Sequence, residues 1–133
     1  MKKIFCEWDT IDDLVNTLAE GVDNNMDDIQ YIHGLSRGGL IPAVMLSHKL
    51  NISYTPYPEL FDPSKTLIID DIADSGKTLQ RYKEYQTAVL HYKPHTSSFV
   101  PDIWATKHTG DEWVIYPWES KFSKTIQDYK LDN

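Results

Sequence analysis

The sequence predicts an α/β domain: an open, mainly parallel twisted sheet with helices on both faces. Three observations carry that expectation. Short β-rich apolar runs alternate with segments of helical period. The run at residues 66–69 is apolar enough for a strand covered on both faces. Glycine-rich or acidic turns follow the strands, where open α/β sheets keep their ligand loops. A chain of 133 residues has room for one domain, and 41% hydrophobic with 25% charged content suits an ordinary packed core.

Taken in order, Asp9 or Thr10 is placed to cap a first helix, where Ile11, Leu14, Val15 and Leu18 repeat at helical spacing. Gly21 and the polar run after it read as its end. Residues 29–34 form a short strand that stops at glycine, followed by the turn Ser36-Arg37-Gly38-Gly39. The apolar segment 40–50 reads as a helix, because Pro42 falls in its first turn. Residues 51–54 are a second strand, and the proline-rich stretch 55–65 is a loop. After the strand at 66–69, residues 70–76 read as a loop, 77–86 as a helix and 87–92 as a strand, joined by right-handed crossovers. From about residue 93 onward the pattern is less regular and reads as a compact cap on the same domain.

Composition narrows the function. A formal charge of −7 argues against broad nucleic-acid binding, which needs clustered Lys and Arg. No apolar run approaches the ~20 residues that span a bilayer, so no membrane role is expected. Glu7 and Asp9 interrupt the start of the chain, unlike a secretory signal, and the single cysteine fits a reducing cytoplasm. The histidines at 33, 48, 91, 95 and 108 show no zinc spacing.

The densest chemistry lies in residues 67–79, LIIDDIADSGKTL. Asp70 and Asp71 leave the strand together and point to opposite sides. Asp74-Ser75-Gly76-Lys77-Thr78 then opens a helix, where glycine admits close backbone approach and the amides and hydroxyls suit a phosphate. Carboxylates beside a phosphate pocket match a sugar phosphate. The Ser-Gly-Lys-Thr run is reminiscent of a nucleotide P-loop, but that pattern needs glycine where Asp71 stands, and an acid there repels a triphosphate. A purely structural turn accounts for Asp74 as a cap, not for the adjacent acid pair. Upstream, a glycine-rich turn that carries Arg37 at a helix start is a natural pyrophosphate site.

An apolar strand, two aspartates, two residues and then Asp-Ser-Gly-Lys-Thr resembles the 5-phosphoribosyl-1-pyrophosphate (PRPP) motif of type I phosphoribosyltransferases. The segment around Ser36–Gly39 is similar to the pyrophosphate loop of the bacterial xanthine-guanine enzymes. The resemblance implies PRPP contacts from Ser36, Arg37, Gly38, Asp70, Asp71, Asp74, Ser75, Gly76, Lys77 and Thr78. It implies a magnesium ion, reached by Asp71 directly or through water, and Asp74 as general base near the purine N7. By the same resemblance, Lys93 reads the 6-oxo group, for which a donor-only ammonium is suited. Trp113 stacks on the purine, Val114 offers backbone groups to its edge, and the region from about residue 93 becomes a base-binding hood. The expected activity is purine salvage, transfer of the phosphoribosyl group to N9 of xanthine, guanine or hypoxanthine, by a cytoplasmic homo-oligomer. Two features depart from the family: the stretch 55–65 leaves almost no length for the usual mobile loop, and Ile115 stands where glutamate is common. The short loop favours the alternative, a non-catalytic PRPP- or nucleotide-binding regulator of the same fold.

Overall fold

The computed structural model describes residues 2–119, so the last part of the expected hood, residues 120–133, lies outside the described residues. Five strands, β2 (Tyr31–Gly34), β3 (Ser53–Tyr54), β4 (Thr66–Ala73), β5 (Gln86–Tyr92) and β6 (Ile103–Lys107), form one sheet in the order β3-β2-β4-β5-β6. Every pair in it is parallel. A second, two-stranded parallel sheet joins β1 (Lys3–Phe5) to β7 (Trp113–Ile115).

Two helices, α1 (Trp8–Asn25) and α2 (Leu40–Leu50), pack against each other and cover one face. Their core includes Ile11, Val15, Leu18, Val22, Ala43 and Leu46, set against Ile32, Leu67, Ile69, Ala88 and Leu90. Each fully buried aliphatic side chain there contributes about 1.5–3 kcal/mol. The opposite face is covered more thinly. Leu79 of the one-turn helix α3 (Lys77–Gln80) packs on Ile68, Val89 and Tyr92, with Tyr82, Tyr85, Phe99 and Trp104 around them.

Several sequence expectations need correction. Helix α1 starts at Trp8 with Glu7 as an unbonded N-cap, so neither Asp9 nor Thr10 caps it. It also runs past Gly21, because Val22 extends the buried stripe. Glycine at 21 instead admits close packing, since a Cβ there would lie 3.3 Å from Ile103. The helix expected over residues 77–86 is a single turn followed by irregular turns, for only Leu79 in it is buried.

Strand β4 continues through the acid pair to Ala73, where the sequence suggested a loop from residue 70. Aspartate disfavours strands, yet each carboxylate here binds the next amide. The Asp71 N–H donates to Asp70 Oδ1 at 2.9 Å, and the Ile72 N–H to Asp71 Oδ1 at 2.8 Å. The hood is also built differently from expectation. Residues 103–107 belong to the edge of the main sheet, and β7 finds its partner in the N-terminal strand β1, which no sequence pattern announced.

Candidate active site

The direction of the crossovers reverses between β2 and β4, so the loops after these two strands face one crevice at their carboxyl ends. The turn after β2 packs tightly into this crevice. The Leu35 N–H donates to Ile69 O of β4 at 2.9 Å, and the Ser36–Arg37 peptide is cis. A Cβ on Gly39 would come within 2.2 Å of Ile69 O. A Cβ on Gly38 would lie 2.0 Å from Asp71 Oδ2. The glycine turn and the Asp71 carboxylate therefore share one space, with Ser36 and Arg37 exposed beside it. Asp70, on the same strand, is 5% exposed.

After β4 the chain turns through Asp74–Thr78. Gly76 has φ +84, and a Cβ there would meet Phe99 N and Ser97 Oγ, each at 2.7 Å, so both backbone conformation and space require glycine. Ser75 Oγ accepts from the Lys77 N–H at 3.3 Å, while Lys77 is exposed and Thr78 half-buried. Because α3 is one turn long, a phosphate here would be held by turn amides and hydroxyls more than by a helix dipole.

A turn after β5 clamps this loop from the far side. The Lys93 N–H donates to Ala73 O at 3.0 Å, and the Ser98 N–H and hydroxyl donate to Ser75 O at 2.9 and 3.0 Å. The Thr96 hydroxyl lies 2.8 Å from Asp74 O and 2.9 Å from Asp74 Oδ1. Most telling, Lys93 Nζ sits 3.5 Å from Asp74 Oδ1, with the lysine side chain only 8% exposed. A buried ammonium needs an anionic or hydrogen-bonding partner. The group expected to read the purine oxygen and the group expected to act as base thus meet at one point. Thr96 and Ser98 escaped the sequence analysis, because short hydroxyl-rich turns carry no distinctive pattern.

The β1–β7 sheet is tied to the end of β5 beside Lys93. His108 links the two, its N–H donating to Tyr92 O at 2.8 Å and its Nε2 lying 3.0 Å from Glu112 O. Trp113, half-buried, follows directly, so it reaches the Lys93 segment through His108. The Trp113 N–H donates to Lys2 O and the Ile115 C=O accepts from the Cys6 N–H, both at 2.8 Å. By strand alternation, the N–H and C=O of Val114 point away from β1.

Behind Asp71 lies a buried polar pair. The Tyr116 hydroxyl is 3.1 Å from Asp71 O and 2.7 Å from His91 Nδ1. Burial, then the nearby His108, lowers His91 to about 4. Burial first, then the charges of Asp71, Cys6, Asp70 and Glu119, pushes the Tyr116 hydroxyl well above its usual range. Both groups are therefore neutral around pH 7. Among the described residues no group of three acidic, His or Cys side chains could hold a metal by itself. The oxygen donors of Asp70 and Asp71 suit a magnesium ion that takes its other ligands from substrate and water.

The connection 55–65 runs from the end of β3 back to the start of β4 through two 3-10 turns, Pro58–Leu60 and Pro63–Lys65. Phe61 stacks on Tyr31 at the start of β2, with ring centroids 3.7 Å apart. Thr55 is tied to β2 by its N–H to Ile32 O at 2.8 Å. The stretch spends its length on this return path, in keeping with the expected lack of a long loop over the crevice.

Comparisons with known proteins agree with this architecture. The chain is 31% identical to a xanthine-guanine phosphoribosyltransferase of Cereibacter sphaeroides, over 89% of this chain and 87% of that protein. It is 27% identical to a Gluconobacter oxydans protein of the same name, over 85% and 82%. Among solved structures, a purine phosphoribosyltransferase from Pyrococcus horikoshii superposes with a TM-score of 0.74 at 30% identity, covering 96% of this chain and 99% of that one. A Helicobacter pylori xanthine-guanine-hypoxanthine phosphoribosyltransferase shares the fold at TM-score 0.74 and 17% identity, over 88% and 93%. No family model matches the sequence.

Proposed function

The chain belongs to the type I phosphoribosyltransferase family that includes the xanthine-guanine enzymes, and from that premise we propose that it is a purine salvage enzyme. It transfers the 5-phosphoribosyl group of PRPP to N9 of a 6-oxopurine and releases pyrophosphate. The observation that carries this reading is the Asp74–Lys93 pair, which joins the phosphate loop after β4 to the turn after β5 at 3.5 Å. A regulator that only binds PRPP need not retain Asp74, Lys93 and Trp113 together as a base pocket.

In this reading the turn 36–39 holds the pyrophosphate, with Arg37 as its cation, and the amides and hydroxyls of residues 75–78 hold the 5-phosphate. Asp70 and Asp71 orient the ribose hydroxyls, and Asp71 would hold a magnesium ion, directly or through water, whose charge would neutralise the pyrophosphate. Trp113 stacks on the base, Val114 presents its outward backbone groups to the base edge, and Lys93 donates to O6. Asp74 accepts or steers the proton at N7 as the bond from N9 to C1 of the ribose forms and pyrophosphate leaves. The enzyme acts in the cytoplasm as a homo-oligomer, in which a second copy can shield the crevice that the connection 55–65 leaves open.

The test is pyrophosphate release from PRPP and magnesium with hypoxanthine, xanthine, guanine, adenine and uracil in turn. Release with one or more 6-oxopurines is expected. PRPP binding without release for any base would replace the enzyme by the regulatory alternative.

A further inference from the structure

We propose that Tyr116, held by His91, is a positioning residue that fixes Asp71 from behind and couples the hood to the PRPP side of the site. The inference rests on the function proposed above and adds a part that the sequence did not suggest.

Tyr116 is 2% exposed and directly follows β7, the strand that carries Trp113 and Val114. Its ring stacks on Trp118 with centroids 4.9 Å apart and planes within 2°. Its N–H donates to Glu119 Oε1 at 3.0 Å. The ring is therefore anchored in the hood, while its hydroxyl crosses to the main sheet and meets Asp71 O at 3.1 Å.

Asp71 sits where the regular ladder is interrupted. Pairing of β4 with β5 passes from Asp70↔Val89 to Ile72↔His91, and pairing of β5 with β6 from Val89↔Trp104 to His91↔Thr106. At this level the Asp71 N–H turns to Asp70 Oδ1, and the Asp71 C=O takes a bond from the phenol. A phenol has one proton. Since a carbonyl only accepts, the Tyr116 hydroxyl donates to Asp71 O and accepts from His91 Nδ1–H, which fixes the tautomer of His91.

Orienting the Asp71 peptide also orients its side chain. Oδ1 is already tied to the Ile72 N–H, and Oδ2 occupies the space above Gly38. Little freedom remains in the carboxylate once the carbonyl is held.

The test is PRPP affinity at fixed magnesium, measured calorimetrically for Tyr116→Phe, Asp71→Asn and the double variant, with steady-state kinetics alongside. Tyr116→Phe is expected to weaken PRPP about tenfold in the otherwise native protein. It should weaken PRPP less than about twofold in the Asp71→Asn background, because the effect runs through that carboxylate. A purely structural role lowers the melting temperature equally in both backgrounds and leaves the two affinity losses multiplicative; that result overturns the coupling. If Tyr116→Phe does not fold, His91 carries the same test. His91→Leu should reproduce the tenfold loss, whereas His91→Asn, whose amide can stand in for Nδ1–H, should stay within about twofold. Equal affinities for these two variants overturn the proposal. Wild type that binds PRPP without turnover refutes the enzyme reading alone, and wild type that does not bind PRPP refutes both.

Discussion

The two sides of the crevice are built by different means. On the phosphate side, the glycine turn after β2 and the loop after β4 each come from one contiguous segment at a strand end, and backbone contacts pack them together. On the side proposed to take the base, Lys93 follows β5 while Trp113 and Val114 belong to a small sheet that pairs residues 3–5 with residues 113–115. Local geometry shapes the first, and long-range pairing the second. The phosphate side should therefore respond to single-atom changes in the backbone cradle, and the base side to loss of individual side chains.

The largest effect is expected where the two sides meet. Asp74→Asn keeps the shape of the loop but removes the proposed base, so kcat should fall by about 10²–10⁴ while PRPP affinity changes only a few-fold. Equal losses in calorimetric affinity and in turnover would move Asp74 to the phosphate side alone. Next, Gly38→Ala drives a methyl group into the Asp71 carboxylate, 2.0 Å away. PRPP affinity should drop by about 10–100-fold, with about 1–3 kcal/mol of stability lost as the held carboxylate is displaced. Gly39→Ala meets the Ile69 backbone carbonyl instead and should cost stability first. Unchanged PRPP binding in Gly38→Ala would separate the turn from Asp71.

On the base side, Trp113→Ala should cost about 1–3 kcal/mol of base binding, read as a raised KM for the purine with PRPP affinity intact. The smallest effect concerns stability. His91 is held near 4 when folded and regains its ordinary value of 6.5 when unfolded. The unfolded chain then binds the extra proton between these values, so stability is complete above pH 6.5 and is lost as pH falls toward 4. Wild type should lose roughly 2 kcal/mol between pH 7.5 and 5 in denaturant melts through this residue. His91→Asn should flatten that slope, and an unaltered slope would place the titration elsewhere.

The same contrast explains what was legible in the sequence. Asp70, Asp71, Asp74 and Gly76 could be placed from one run of letters, since chemistry and turn geometry there are local. Even so, β4 extends through the aspartates because their carboxylates bind the following amides, a tertiary compensation that propensity does not show. The helix after Gly76 shrinks to one turn because only Leu79 reaches the core. Strand β1 was invisible, for three residues with exposed side chains become a strand only by meeting β7. Tyr116 and His91 drew no role from the sequence, since their pairing across 25 positions leaves no periodic trace.

Base preference in Lys93→Met gives the most direct check on the joined site. The ratio of kcat/KM for xanthine, guanine or hypoxanthine to that for adenine should favour the oxopurines strongly in the wild type. It should collapse by about tenfold or more in the variant, because the buried ammonium proposed to donate to O6 is gone. A ratio that stays the same in both proteins, with turnover retained, would contradict the assignment of Lys93 and the meeting of the two sides at Asp74.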